Sequence, residues 1–199
     1  MKKTVCLLLA LFSVGANAQS FQKKQVDLNV GLGFGTTFLA SGAYHIVPPI
    51  NAAIDIGVTD DISVGAYLGY ASASWKYPGR GYYVNNGNGY WYNYTDTYRW
   101  NYYLFGLRGA YHFNRLLELN KDNLDLYAGL MLGERYARYT WKTDDPGPKQ
   151  AYITGQTGSG VFVSVFAGCR YRFTDKVGVY AELGYGLTFL NAGLTVKLQ

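Results

Sequence analysis

Along most of this chain aliphatic side chains recur at every second residue, with glycine, tyrosine and charge on the residues between. The segment from Val161 to Tyr185 shows this best. Val161, Val163, Val165, Ala167, Cys169, Tyr171 and Phe173 alternate with Phe162, Ser164, Phe166, Gly168, Arg170 and Arg172. Successive side chains of a strand point to opposite faces, so one face is oily and the other carries the charge. After Thr174, Asp175 and Lys176 the pattern resumes, with Val177, Val179, Ala181, Leu183 and Tyr185 against Gly178, Tyr180, Glu182 and Gly184. The spacing predicts a β-hairpin. A soluble sheet buries its aliphatics and wets a mostly polar face. Here the second face mixes glycine and tyrosine with a few opposite charges, which suits a narrow barrel interior filled by small and large side chains in alternation. Arms of about 9 to 11 residues are long enough to cross a bilayer with the aliphatic parity toward lipid.

The same split recurs in order. Val26 to Phe34 sets valine, leucine and phenylalanine against Asp27, Asn29 and glycines, and Ile50 to Val58 sets isoleucines against Asn51 and Asp55. Ile62 to Ala71, Tyr103 to Phe113, Leu124 to Gly133 and Asn191 to Leu198 follow suit, which predicts eight strands in all. Thr37 to Pro49, Pro78 to Arg99 and Thr140 to Ser159 are expected as long loops, and Asn114 to Asn123 as a longer turn or a helical one. Short turns at one end and long loops at the other match transmembrane barrels, with the ten-residue turn and a short last loop as exceptions. Tyr111, Phe113, Tyr171 and Phe173 fall together at the short-turn rim, where aromatic residues favour the interface. The expected architecture is all-β, an eight-stranded antiparallel up-and-down transmembrane barrel.

The N-terminus changes the compartment. Lys2 and Lys3 precede an apolar run from Val5 to Val14, and Ala16, Asn17, Ala18 make a small-residue cleavage site, so residues 1–18 are expected to be a signal peptide and residues 19–199 the barrel domain. The run is too short for a transmembrane helix. The hydrophobic fraction of 49% and mean hydropathy of -0.08 fit strands of which half face a polar interior. Removing Lys2 and Lys3 takes the formal net charge from +5 to +3, too little to argue for nucleic acid. Only Cys169 remains after processing, so no internal disulfide can form, and no Cys/His constellation suggests a metal or other cofactor. The glycines from Gly31 to Gly35 have no helix after them and do not make a dinucleotide loop, and the glycines near Gly158 lack the Lys-Ser/Thr of a phosphate loop.

Two groups of residues stand out as candidate sites. Asp27, Asp55, Arg108, Asp125, Arg170, Arg172, Glu182 and Lys197 all fall on the interior parity of their strands. Basic residues on the lipid face would cost about 2 to 4 kcal/mol each near mid-membrane, so this sorting has physical meaning. Arg108, Arg170 and Glu182 are expected to pair across the axis and fill it. Tyr82, Tyr83, Tyr90, Trp91, Tyr92, Tyr94 and Tyr98, interleaved with asparagine and glycine, have the composition of a recognition loop, although strands extended above the membrane would give the same pattern. A catalytic set is not expected: His45 and His112 lie at opposite ends of the barrel.

These features resemble the small eight-stranded outer-membrane barrels, the OmpX-like group and the OmpA transmembrane domain. The resemblance rests on Ala110-Tyr111-His112-Phe113, Arg170-Tyr171-Arg172-Phe173, Ala181-Glu182-Leu183-Gly184-Tyr185-Gly186 and Leu194-Thr195-Val196-Lys197-Leu198. It implies an integral outer-membrane protein, not an enzyme, with a plugged lumen and surface loops serving envelope structure, adhesion or recognition. The alternative is a small porin or an OmpW-like conduit for small or hydrophobic solutes. The implied partners are outer-membrane lipid and lipopolysaccharide, the barrel-assembly machinery, and a glycan or host-surface ligand at the loops. The chain departs from the usual assembly signal by ending Leu198, Gln199 rather than in an aromatic. No peptidoglycan-binding segment follows the last strand, so cell-wall anchoring is not implied.

Overall fold

The computed structural model describes residues 21–36, 44–119, 123–145, 154–156 and 158–199. The expected signal peptide, Ser41, the side chain of His45 and most of the Asp/Pro/Gly stretch after Asp145 lie outside the described residues. The strands are β1 (Val26–Thr36), β2 (Tyr44–Gly57), β3 (Ile62–Asn85), β4 (Asn88–His112), β5 (Leu124–Thr143), β6 (Thr154–Gln156), β7 (Gly160–Arg172), β8 (Val177–Gly184) and β9 (Thr188–Lys197). Eight of them, all but the three-residue β6, close into a ring of antiparallel neighbours. The seam pairs β1 with β9, from Asp27 opposite Lys197 to Thr36 opposite Thr188. Closure leaves no sheet edge unpaired around the wall. β6 adds a short rung to the upper part of β5.

The two stripes of each strand face as their chemistry demands. Val30, Leu107, Leu130 and Val163 stand more than half exposed on the outside, whereas Arg108, Arg170, Arg172 and Glu182 are buried within. Outward apolar rows run from Ile62 to Tyr70 on β3, matched by Tyr111 to Tyr103 on β4. That height is what a hydrocarbon core requires of a strand. Tyr111 packs edge-on against Phe113, and Tyr171 against Phe173, at the end where Phe21 and the C-terminus lie. Inside, glycines make room for large neighbours: a Cβ on Gly168 would fall 2.7 Å from both the Tyr127 ring and the Glu182 side chain.

Several expected boundaries move. β3 and β4 do not end at the hydrocarbon edge but run on as one hairpin, so the segment from Pro78 to Arg99 is strand, with Asn85 opposite Asn88. Asn86 and Gly87 both take positive φ, 49° and 79°, the turn that matches the twist of a two-residue hairpin. β5 also continues to Thr143, pairing with β4 as far as Asp96. β2 begins at Tyr44 rather than Ile50, because two bulges around Val47, Pro48 and Pro49 absorb the prolines without ending the pairing. Residues 114–118 form turns rather than a helix, held by the Asn114 side chain, which accepts from the Leu126 amide and donates to the Leu124 carbonyl. β9 starts at Thr188, inside the expected last loop.

Candidate functional site

The interior charges form one connected network near the end that holds the short turns and the C-terminus. The Arg108 guanidinium forks onto Glu182 at 2.6 and 3.3 Å and lies 3.0 Å from Asp55. Arg170 donates to Asp125 at 3.0 Å, to Asp55 and to Asn29, and stands 3.6 Å from Asp27. Arg172 donates to both oxygens of Asp27 at 3.0 and 2.9 Å. Tyr127 donates to Glu182 at 2.8 Å, and the Arg108 and Arg170 guanidiniums lie over the Phe166 and Tyr127 rings at 4.1 and 4.3 Å. A guanidinium stacked on a ring and hydrogen-bonded at its edges loses little by leaving water. Lys197 is the exception among the candidate interior charges. It is only half-buried at the mouth and, among the described residues, makes no ion pair, because its strand ends there and solvent reaches its ammonium.

Above the ions an apolar cluster of Tyr67, Leu104, Met131, Phe166 and Leu187 crosses the axis. Leu187 comes from the short link between β8 and β9, which turns inward and leaves only 1% of that side chain exposed. The gap between this cluster and the Arg108–Glu182 pair measures about 20 Å³, room for roughly one water.

One arrangement was not legible from residue spacing. His112 sits between Asp125, 2.8 Å from Nδ1, and the Ser63 hydroxyl, 3.0 Å from Nε2. This is the order of a nucleophile, base and orienting acid. Its surroundings do not serve that chemistry. Ser63 is 1% exposed, and the Phe21 ring lies flat on the imidazole at 3.6 Å. The neighbouring hollow of about 450 Å³ is lined by His112, Asn114 and Arg115 but does not reach Ser63. The relay joins β3, β4 and β5 as part of the buried polar network.

At the opposite end β3, β4 and β5 rise above the ring as a three-stranded blade. Parity divides the tyrosine-rich segment between its faces. Tyr83, Tyr90, Tyr92, Tyr94 and Tyr98 continue the interior side, and Tyr82 and Trp91 the lipid side. On the interior side Tyr98 is the centre of a cluster, with Trp75, Trp100, Tyr139 and Trp141 at ring separations of 6.0 to 6.5 Å. Trp100 follows Tyr98 two residues on along β4, whereas Tyr139 and Trp141 join the candidate residues only through the β4–β5 pairing, which spacing alone does not reveal. On the lipid side Tyr82 packs on Trp91 at 4.9 Å, with the Arg80 guanidinium 4.7 Å above the indole. The Tyr92 hydroxyl donates to Asp145 at 2.8 Å, and that bond to a carboxylate raises its pKa above the ordinary phenol value. Among the described residues no His/Cys/Asp/Glu group is arranged to hold a metal ion.

No curated protein matches the sequence. Among solved structures, the N-terminal β-barrel domain of Pseudomonas aeruginosa OprF is similar at 17% identity and a TM-score of 0.43, covering 88% of this chain and 96% of that one. Ail, the attachment invasion locus protein of Yersinia pestis, is similar at 10% identity and a TM-score of 0.48, again covering 88% of this chain and 96% of that one. Ail in complex with the heparin analogue sucrose octasulfate gives 10% identity and a TM-score of 0.43, over 87% and 93% of the two chains. The family profile described as "Outer membrane protein beta-barrel domain" matches residues 4–197. Because that match takes in every strand of the ring, the chain belongs to the outer membrane protein beta-barrel domain family and resides in the bacterial outer membrane.

Proposed function

We propose that this protein is a closed barrel that anchors a surface-exposed recognition blade, not a conduit. After removal of residues 1–18 and insertion by the barrel-assembly machinery, its termini and short turns face the periplasm and the blade faces outward. The observation that carries the reading is the aromatic cluster around Tyr98 on a blade with no role in closing the ring. Tyrosine and tryptophan offer rigid amphipathic area at low entropic cost, and the neighbouring asparagines adapt their hydrogen bonds to a ligand. A glycan or other host-surface ligand suits such a face. The apolar cluster and the ion network filling the axis support a lumen closed to solutes.

The test has two arms. Cells displaying the intact chain should bind glycan and host-matrix arrays, and Trp100→Ala with Tyr139→Ala should reduce that binding at unchanged surface level. Equal binding by wild type and variant ends the recognition reading. Purified protein in a planar bilayer should give no stable channel, and steady openings would instead support transport of small solutes.

A further inference from the structure

The lipid-side face of the blade carries a different chemistry from its aromatic face. Parity places Lys76, Arg99, Arg138 and Lys142 on the same side of β3, β4 and β5, in rows linked by Thr97 opposite Lys142, Arg99 opposite Thr140 and Asn101 opposite Arg138. All four cations are exposed, and among the described residues none makes an ion pair. Two carboxylates share this face. Glu134 lies one row below the tyrosines, opposite Phe105, and Asp144 accepts from the Thr95 amide. Each cation stands opposite a threonine or asparagine rather than a carboxylate, so an anion seated among the rows is attracted by several of them at once.

The height of these rows identifies the anion. Directly beneath Asn101 and Arg138 runs an outward row of Tyr70, Tyr103 and Tyr136, with ring separations of 5.1 and 6.1 Å. A tyrosine row between an aliphatic band and polar residues marks the level of lipid headgroups. Arg138, Arg99 and Lys142 follow on the same outward side one, two and three rows above these tyrosines, where the lipid headgroups begin. Between these cations is a hollow of about 320 Å³, lined by Arg99, Arg138 and Lys142 with the hydroxyls of Thr97 and Thr140. Guanidiniums with adjacent hydroxyls suit phosphate oxygens, which accept several hydrogen bonds at once.

We infer that Arg99, Arg138 and Lys142 form a binding site for the phosphate-bearing headgroup of an outer-leaflet lipid packed against the barrel. The site does not depend on the recognition reading, which rests on the opposite face of the blade. The refolded full chain in zwitterionic detergent, titrated with bisphosphorylated lipid A and followed by native mass spectrometry, should retain bound lipid. The variant Arg99→Gln, Arg138→Gln, Lys142→Gln should bind about a hundredfold more weakly. Arg99→Gln alone should give a smaller drop of the same sign, which keeps the test open if the triple variant folds poorly. Dephosphorylated lipid A should bind weakly to the wild type, and millimolar inorganic phosphate should not displace the lipid. Trp100→Ala should leave lipid A binding unchanged. Equal affinity of wild type and variants, or equal binding of the dephosphorylated lipid, overturns the proposal, and displacement by inorganic phosphate would assign the hollow to a free anion instead.

Discussion

Arg170 shows how single residues decide whether this interior is stable. It reaches carboxylates on three other strands, Asp27 on β1, Asp55 on β2 and Asp125 on β5, and it is 1% exposed. Removing it leaves those carboxylates sharing Arg108, Arg172 and His112, with the remaining negative charge uncompensated in a dry environment. Breaking a buried pair in this way costs about 3–5 kcal/mol. Arg170→Leu should lower the unfolding free energy of the refolded barrel by that amount in urea titrations, and a loss below about 1 kcal/mol would mean that the network contributes little. The interior parity of Arg170 was readable from its neighbours Cys169 and Tyr171. Its partners were not, because which strand stands opposite across the axis depends on stagger and tilt rather than on alternation.

Among the elements, the β3–β4 hairpin decides between the two sequence readings, for the segment from Pro78 to Arg99 is strand extended above the ring and not a loop. The loop-like composition of Tyr82 to Tyr98 hid a period of two, since aromatic and small polar residues occupy both parities and blur the contrast that marks a strand. The Asn86-Gly87 pair was the local signal for a tight turn there. Below this hairpin the alternation of aliphatic and small residues was clear, and the ring strands follow it. The blade and the ring should therefore separate cleanly. Joining Tyr77 to Asp96 through Asn-Gly removes residues 78–95 and keeps the pairing phase of Asn85 with Asn88. The shortened chain should still refold, read as a heat-modifiable band on gels, and failure to refold would make the blade part of the folding unit. Within the intact blade, the Tyr92–Asp145 bond ties β4 to the end of β5. Its phenol pKa is raised, so the bond is fully formed below the ordinary tyrosine value of about 10 and is lost as pH rises through the raised value. Protection factors of the amides after Trp141, taken against the base-catalysed intrinsic rate at each pH, should fall over that alkaline window in wild type. Tyr92→Phe should show low protection at every pH, and wild-type protection that stays level across the window would remove the bond from the account.

The whole molecule resolves into three levels along one axis: an ion network toward the end with the short turns, an apolar cluster above it, and a blade with unlike faces at the far end. Each level follows from continuing the same two stripes along the strands. Where the outer stripe is aliphatic it meets hydrocarbon, and beyond the Tyr70, Tyr103 and Tyr136 row it turns basic; where the inner stripe is charged it pairs, and beyond Leu104 it turns aromatic. Burial of 170 among polar partners and exposure of 163 to lipid are thus two statements of one arrangement. A nitroxide scan along β7, one label at a time from Gly160 to Arg172 in a Cys169→Ala background reconstituted in vesicles, tests it most directly. The account predicts oxygen accessibility that alternates with period two, high at 161, 163, 165, 167, 169 and 171, where the native Cys169 carries the label at 169, and low at the even-numbered residues between them. A flat profile, or the opposite phase, would contradict it.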